Sequence, residues 1–228
     1  MTAFRPEIAP DVAALRPDFT ALSIVVRGAR NGPSDAGSAA LLREAEAVAA
    51  SGAPAWADAH LQAWREAFRG FGAKAKKTPC SAEALRRRAV RDGLPAINAV
   101  VDLYNAVSVR FAVPVGGENL AAYRGSPRLC RAEGSEPFPL ARDDPDQVEH
   151  PAPGEVIWRD DLGVTCRRWN WRQGPRTRLE TGSTEMWFVL ERLAPMPLAA
   201  LDEAGDMLVE GVRALAPGLS VERELLRP

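Results

Sequence analysis

The sequence is poor in the residues from which metal sites and disulfide frameworks are built. It has two histidines, His60 and His150, and three widely spaced cysteines, Cys80, Cys130 and Cys166. With an odd cysteine count and no CxxC or HxxxH pair, neither a set of disulfides nor a zinc ligand set can be assembled, and free thiols fit a reducing cytoplasm. The nucleotide and hydrolase signatures GxxxxGK[ST], GxGxxG after a strand, GxSxG and HExxH are missing. A Ser-His-Asp triad would need one of the two histidines, and neither sits in a recognisable setting. No metal and no cofactor are therefore expected. Long apolar runs are lacking too: 186–190 (MWFVL) is among the longest, against the roughly 18 residues of a membrane span. The first residues, MTAFRPE, have no basic stretch followed by an apolar one, so neither a membrane segment nor a secretory signal is expected. Excess charge is absent as well, with 29 Lys+Arg against 30 Asp+Glu, so the placement of charge carries more information than its sum.

What remains is a globular chain of 228 residues, 46% hydrophobic, without internal repeats and long enough for one large domain or two small ones. Residues 19–27 (FTALSIVVR) alternate and then close on valines, which predicts a strand ended by Gly28 and Asn31-Gly32-Pro33. Residues 39–50 and 54–71 predict two helices. In the second, Trp56, His60, Trp64 and Phe68 form one apolar stripe, so His60 reads as a packed histidine before a ligand or catalytic one. Thr78-Pro79 predicts a helix start, with Thr78 as N-cap and the helix running to Asp92. Cys80 then lies in the first turn without a base nearby, and reads as structural. A further helix is predicted over 95–109, with Ile97, Val100, Val101, Tyr104 and Val107 inward. Asn98, Asp102 and Asn105, spaced i, i+4 and i+7, form either a solvated face or the polar wall of a site. Residues 129–132, 155–158, 164–171 and 186–190 predict strands, and 197–214 a last helix. Helices and strands segregate, which points to an α+β fold.

Two local concentrations bear on function. Between residues 65 and 91 nine basic residues face two acids, and between 133 and 161 nine acids face two arginines. The basic block is either a solvated helix face or a seat for a phosphate backbone. The acidic loop, with Asp143, Asp144 and Asp146, would hold a polyanion away from its own side. In 166–173 (CRRWNWRQ) a strand would place Arg168, Asn170 and Arg172 on one face and Trp169 and Trp171 on the other. Such arginines either stack on bases and pair with phosphates or merely flank core tryptophans.

Residues 95–108 (PAINAVVDLYNAVS), 114–119 (PVGGEN), 129–132 (LCRA), 154–158 (GEVIW) and 167–173 (RRWNWRQ) resemble the B3/B4 domain of the bacterial phenylalanyl-tRNA synthetase β subunit. More closely, they look like free-standing proteins made of that domain. The resemblance spans roughly 63–190 and, more weakly, the whole of 1–228, read as a single domain. It implies an α+β fold with a mixed sheet flanked by helices, and a pocket that in the synthetase hydrolyses tRNA wrongly charged with tyrosine. Asn105 matches the family's helix Asn and Pro114 its pocket-lining Pro. Tyr104 stands where Thr is usual, and Gly116 where many bacterial synthetases have His. The segment near 172–176 lacks the Glu that helps select tyrosine in the synthetase.

The implied function is a cytoplasmic hydrolase acting in trans on misacylated tRNA, with charged tRNA as partner and its amino-acid moiety in the pocket. Asn105, Asp102 and Gly116 are the expected catalytic positions, Asp102 as base or amine partner. Asn98, Tyr104, Pro114, Gly117, Trp169 and Arg172 are expected to line the substrate. Gly116-Gly117 is expected to form a turn that lets the backbone approach the ligand. Lys74, Lys76, Lys77, Arg86, Arg87 and Arg168 are expected to hold the tRNA. Two other readings stay open: a non-catalytic tRNA-binding module, and a protein that binds free amino acids or another small metabolite.

Overall fold

The computed structural model describes residues 4–141, 147–216 and 218–228; Asp143, Asp144 and Asp146 lie outside the described residues. The first half runs β1 (Glu7–Ile8), α1 (Pro10–Leu15), β2 (Thr20–Arg27), α2 (Ala36–Ser51), α3 (Ala57–Gly70), α4 (Ser81–Arg91) and α5 (Ala99–Phe111). The second runs β3 (Val115–Asn119), β4 (Arg128–Arg131), β5 (Phe138–Pro139), β6 (Val148–Glu149), β7 (Val156–Arg159) and β8 (Val164–Arg167). It ends with β9 (Arg172–Gln173), β10 (Glu185–Arg192), α6 (Leu198–Leu215) and β11 (Ser220–Leu226). This is the α+β class the sequence predicts.

The strands divide between sheets. One, antiparallel throughout, is ordered β11-β2-β10-β3; the other, β1-β4-β7-β8-β9, is mixed because β1 runs parallel to β4. A short β5-β6 ribbon stands apart. The reason the first sheet is covered on both faces can be read in β2, whose even and odd positions are both buried. Leu22, Ile24 and Val26 pack with Val100, Leu103 and Val107 of α5 and with Leu201 and Leu208 of α6. Ala21 and Val25 face the other way, into a core with Trp64 of α3 and Trp158, Trp169 and Trp187. The candidate cavity opens in this second, aromatic layer.

His60 is packed as its stripe predicts. Its Nδ1 donates to the Ala112 carbonyl at 2.9 Å, while Nε2 accepts from Trp64 Nε1 and the Leu193 amide, each at 3.1 Å. Burial depresses its pKa to about 4, so the ring stays neutral.

Several local expectations are corrected. Thr78 does not cap α4; its hydroxyl donates to the Lys74 carbonyl, and Cys80 is the N-cap, buried and with its thiol pushed up to about 12. α5 begins at Ala99, because Asn98 accepts from the Val101 amide and caps it; Ile97 precedes the helix and is exposed. Gly116-Gly117 is not a turn but part of β3, paired with β10. The strand predicted over 164–171 stops at Arg167, where Arg168 and Trp169 take positive φ of 46° and 65° and reverse the chain. Arg168, Asn170 and Arg172 thus share no strand face. The C-terminal tail contributes a strand, β11, along β2.

Candidate functional site

Antiparallel register puts the site's first wall together. Gly116 lies opposite Val189 and Glu118 opposite Trp187, so these four side-chain positions and Glu191, two residues on, point to one side of the sheet. The facing wall comes from the second sheet through Trp158, Cys166 and Gln173, and from the turn carrying Trp169, Asn170 and Trp171. Ser81 and Leu85 of α4 and Tyr104 and Asn105 of α5 close the sides. Between them is a cavity of about 280 Å³ into which four indole rings reach.

The turn that supplies three of these residues is strained and tightly held. Left-handed backbone at a non-glycine residue costs about 1–3 kcal/mol, and two such residues are adjacent here. Glu155 compensates: its carboxylate accepts from the Arg168 amide at 3.1 Å and from Arg167 Nε and Nη2 at 2.9 Å each. The Trp169 amide donates to the Val156 carbonyl, and its ring is buried against Phe19 and Trp64 at centroid distances of 5.1 and 5.2 Å. The Arg168 guanidinium lies over the Trp171 ring at 4.3 Å.

Two buried carboxyls give the cavity its chemistry. Glu191, 1% exposed, accepts from Trp158 Nε1 on one oxygen and from Asn170 Nδ2 on the other, both at 2.9 Å. Burial outweighs these bonds and raises its pKa to about 7. Glu118, 4% exposed, is raised further, to about 8, again by burial, with Thr177 and Gln173 opposing. Its Oε2 has no hydrogen-bond partner, nor has Asn170 Oδ1. Such orphaned buried acceptors cost about 1–3 kcal/mol each unless a ligand or water satisfies them. The Cys166 thiol is pushed well above its usual range by burial, so no thiolate nucleophile is present.

The expected site residues distribute unevenly. Tyr104, Asn105, Gly116, Gly117 and Trp169 line the cavity; Asp102, Asn98, Pro114 and Arg172 do not. Asp102 is wholly buried and accepts from the Ile97 amide at 2.8 Å and the Ser38 hydroxyl at 2.9 Å, which locks α5 to α2. Asn98 joins Asn31 and the Leu179 carbonyl to the same helix start. Pro114 acts from behind, its carbonyl accepting from the Glu191 amide at 3.0 Å. Arg172 lies over Phe138. Gly117 is required by close packing, since a Cβ there would sit 2.6 Å from Tyr104 Cε1.

Of the basic residues, Lys74, Lys77 and Arg168 line a second cavity of about 360 Å³, alongside Phe71 and Glu155. Lys76 is exposed outside it. Arg86 donates to the carbonyls of Val109 and Gly52, and Arg87 pairs with Glu83, so both hold the fold. The two cavities flank the same turn, with Arg168 on one and Trp169 to Trp171 on the other. Glu118, Glu191, Trp158, Trp187 and Asn170 are site residues not anticipated from sequence. Among the described residues no three His, Cys, Asp or Glu side chains group to hold a metal, and no helix is long and apolar enough to cross a membrane.

Fold and site together define an α+β protein with an aromatic cavity that holds two buried acids beside a basic one. Residues 63–204 match the B3/4 domain, more than half of the chain, and the protein belongs to that family. No curated protein matches it. Among solved structures it is similar to an N-terminal fragment of the phenylalanyl-tRNA synthetase β subunit from Pyrococcus horikoshii, at 11% identity and a TM-score of 0.46. That similarity covers all of this chain and 55% of the other.

Proposed function

We propose that the protein is a trans-acting hydrolase that removes the amino acid from a misacylated tRNA. The observation that carries this reading is the pairing of an acid-bearing, indole-lined cavity with a basic one across a single turn, in a B3/4-domain protein. The aminoacyl group enters the first cavity. Phosphates of the single-stranded tRNA end lie along Lys74, Lys77 and Arg168, and the half-buried Trp171 offers a ring on which a terminal base stacks.

The reaction is ester hydrolysis at the 2′ or 3′ oxygen of the terminal adenosine. Glu191 is the base: with a pKa of about 7 it is about half ionised at neutral pH, and basic enough to accept a proton. Water oxygen bonds to the ester carbonyl carbon while its proton passes to Glu191. The tetrahedral intermediate then expels the ribose oxygen, which recovers that proton. Because the ester is already activated, positioning supplies much of the rest: Asn105 and the edge strand at Gly116 hold the carbonyl near the water. The reading takes the whole chain, 1–228, as one domain, which the pairing of β1 with β4 and of β11 with β2 supports. We place it in the cytoplasm, where its three free cysteines stay reduced.

The test is deacylation of a panel of correctly and wrongly charged tRNAs by the purified protein. Selective release is expected, reduced about 10²-fold or more in Glu191→Gln and impaired in Asn105→Ala. No release from any charged tRNA overturns the reading.

A further inference from the structure

The lining of the first cavity is chemically one-sided. Among the described residues that line it there is no lysine or arginine, while Glu118 and Glu191 both do. Its buried polar atoms without a partner are the acceptors Glu118 Oε2 and Asn170 Oδ1, the Ser81 hydroxyl, and the donor Trp169 Nε1, which is turned toward Glu191. Around these stand the rings of Trp158, Trp169 and Trp187. Indole faces attract cations, and a carboxylate in a water-poor site gains far more from a cation than from a neutral group. Arg176 acts on Glu118 only from outside the cavity, with its guanidinium bound to Asp160.

We infer that the cavity selects an aminoacyl group whose side chain is positively charged, an amine or a guanidinium, with Glu118 as its counter-ion and the indoles as its walls. The inference rests on the hydrolase reading above and deepens it by assigning the substrate class. Glu191 is held by Trp158 and Asn170 and so remains the base, whereas Glu118 keeps an oxygen that no protein group occupies. A phenylalanyl or other uncharged apolar side chain would leave that oxygen buried without a partner. An anionic side chain would meet two acids and no cation.

Two measurements on the full chain separate this inference from the hydrolase reading. The first is deacylation of tRNAs charged with lysine, arginine, tyrosine, phenylalanine and glutamate, by the wild type and Glu118→Gln. A preference of at least tenfold in kcat/KM for the lysyl or arginyl ester is expected, and which of the two leads tells amine from guanidinium. Glu118→Gln, which keeps the shape but cannot give up a proton to become the counter-ion of a bound cation, should lower that preference at least tenfold; its thermal unfolding is followed alongside to show that it folds.

The second is quenching of tryptophan fluorescence by lysinamide and argininamide against tyrosinamide and norleucinamide. Selective quenching by a cationic amide, lost in Glu118→Gln, with no ester cleaved would uphold the specificity and remove the hydrolase. Ester cleavage without cationic preference, or a preference untouched by Glu118→Gln, would overturn the specificity and leave the hydrolase standing. Neither cleavage nor selective quenching would overturn both.

Discussion

Replacing Glu118 by Gln should make the protein more stable, and increasingly so as the pH rises. Burial lifts this carboxyl from 4.5 to about 8 in the folded state. A group whose folded pKa is raised holds its proton when the unfolded chain has lost it. Its stabilising contribution is complete below pH 4.5 and falls away until the pH passes about 8. At 1.36 kcal/mol per unit the total is about 5 kcal/mol, of which about 4 kcal/mol lies between pH 5 and pH 8. The amide of Glu118→Gln does not titrate, so the variant escapes this loss. Glu191, raised to about 7, shifts stability in the same direction, and His60, lowered to about 4, in the opposite one. Both are present in wild type and variant and cancel in the comparison. A domain of this size shifts its Tm by about 2–4 °C per kcal/mol, so the Tm gap between variant and wild type should widen by roughly 8–16 °C from pH 5 to pH 8. Calorimetry or urea unfolding at the two pH values measures it. A gap that stays constant, or one that closes toward alkaline pH, would refute the claim that burial outweighs the charge of Arg176 and keeps Glu118 protonated.

Other perturbations test separate parts of the argument. The His60 imidazole should remain neutral at pH 5 by NMR, and its low pKa should make the wild type lose about 3 kcal/mol as the pH falls from 6.5 to 4. A ring titrating near 6.5 would contradict the packing described. Gly117→Ala should cost about 1–3 kcal/mol by driving a methyl into the Tyr104 ring. Adding Tyr104→Ala should return part of that loss, and strict additivity in the double-mutant cycle would exclude the contact. Removing Lys74 or Lys77 should lower the salt dependence of tRNA binding by about 0.7–1 in log-log slope each. Arg86→Ala should instead lower the Tm, because its guanidinium holds the Val109 and Gly52 carbonyls.

How much of this was legible depended on whether a residue's neighbours lay close in sequence. The α3 stripe marked His60 as a core residue, and the alternation in 19–27 marked a strand, because helix and strand periods are local signals; that both faces of β2 are buried came only from the structure. The turn at Arg168 and Trp169 was hidden, since nothing local marks two non-glycine residues as left-handed. It is Glu155, thirteen residues earlier than Arg168, that holds them there. The polar row of α5 was visible as a row, but sequence could not show that Asp102 bonds α2 and the chain before the helix, that Asn98 bonds Asn31 and the Leu179 carbonyl, and that Asn105 faces the cavity. The basic block looked uniform, although Arg86 and Arg87 are tied into the fold and Lys74 and Lys77 are not, a distinction set by tertiary partners alone.

The two acids mark the boundary most clearly. Glu191 continues the alternation Trp187, Val189, Glu191, so the residue that follows the apolar run takes the same buried face as the indole. Glu118 lies on that face because β3 pairs antiparallel with β10 and sets it opposite Trp187. An acid that the period of a buried strand directs inward must find a partner, lose its charge or serve a ligand. Here one acid is held by Trp158 and Asn170, while the other keeps an unpaired oxygen. Under the proposed reaction that difference separates a base from a counter-ion, and the face the two acids share arises from strand register rather than from any motif.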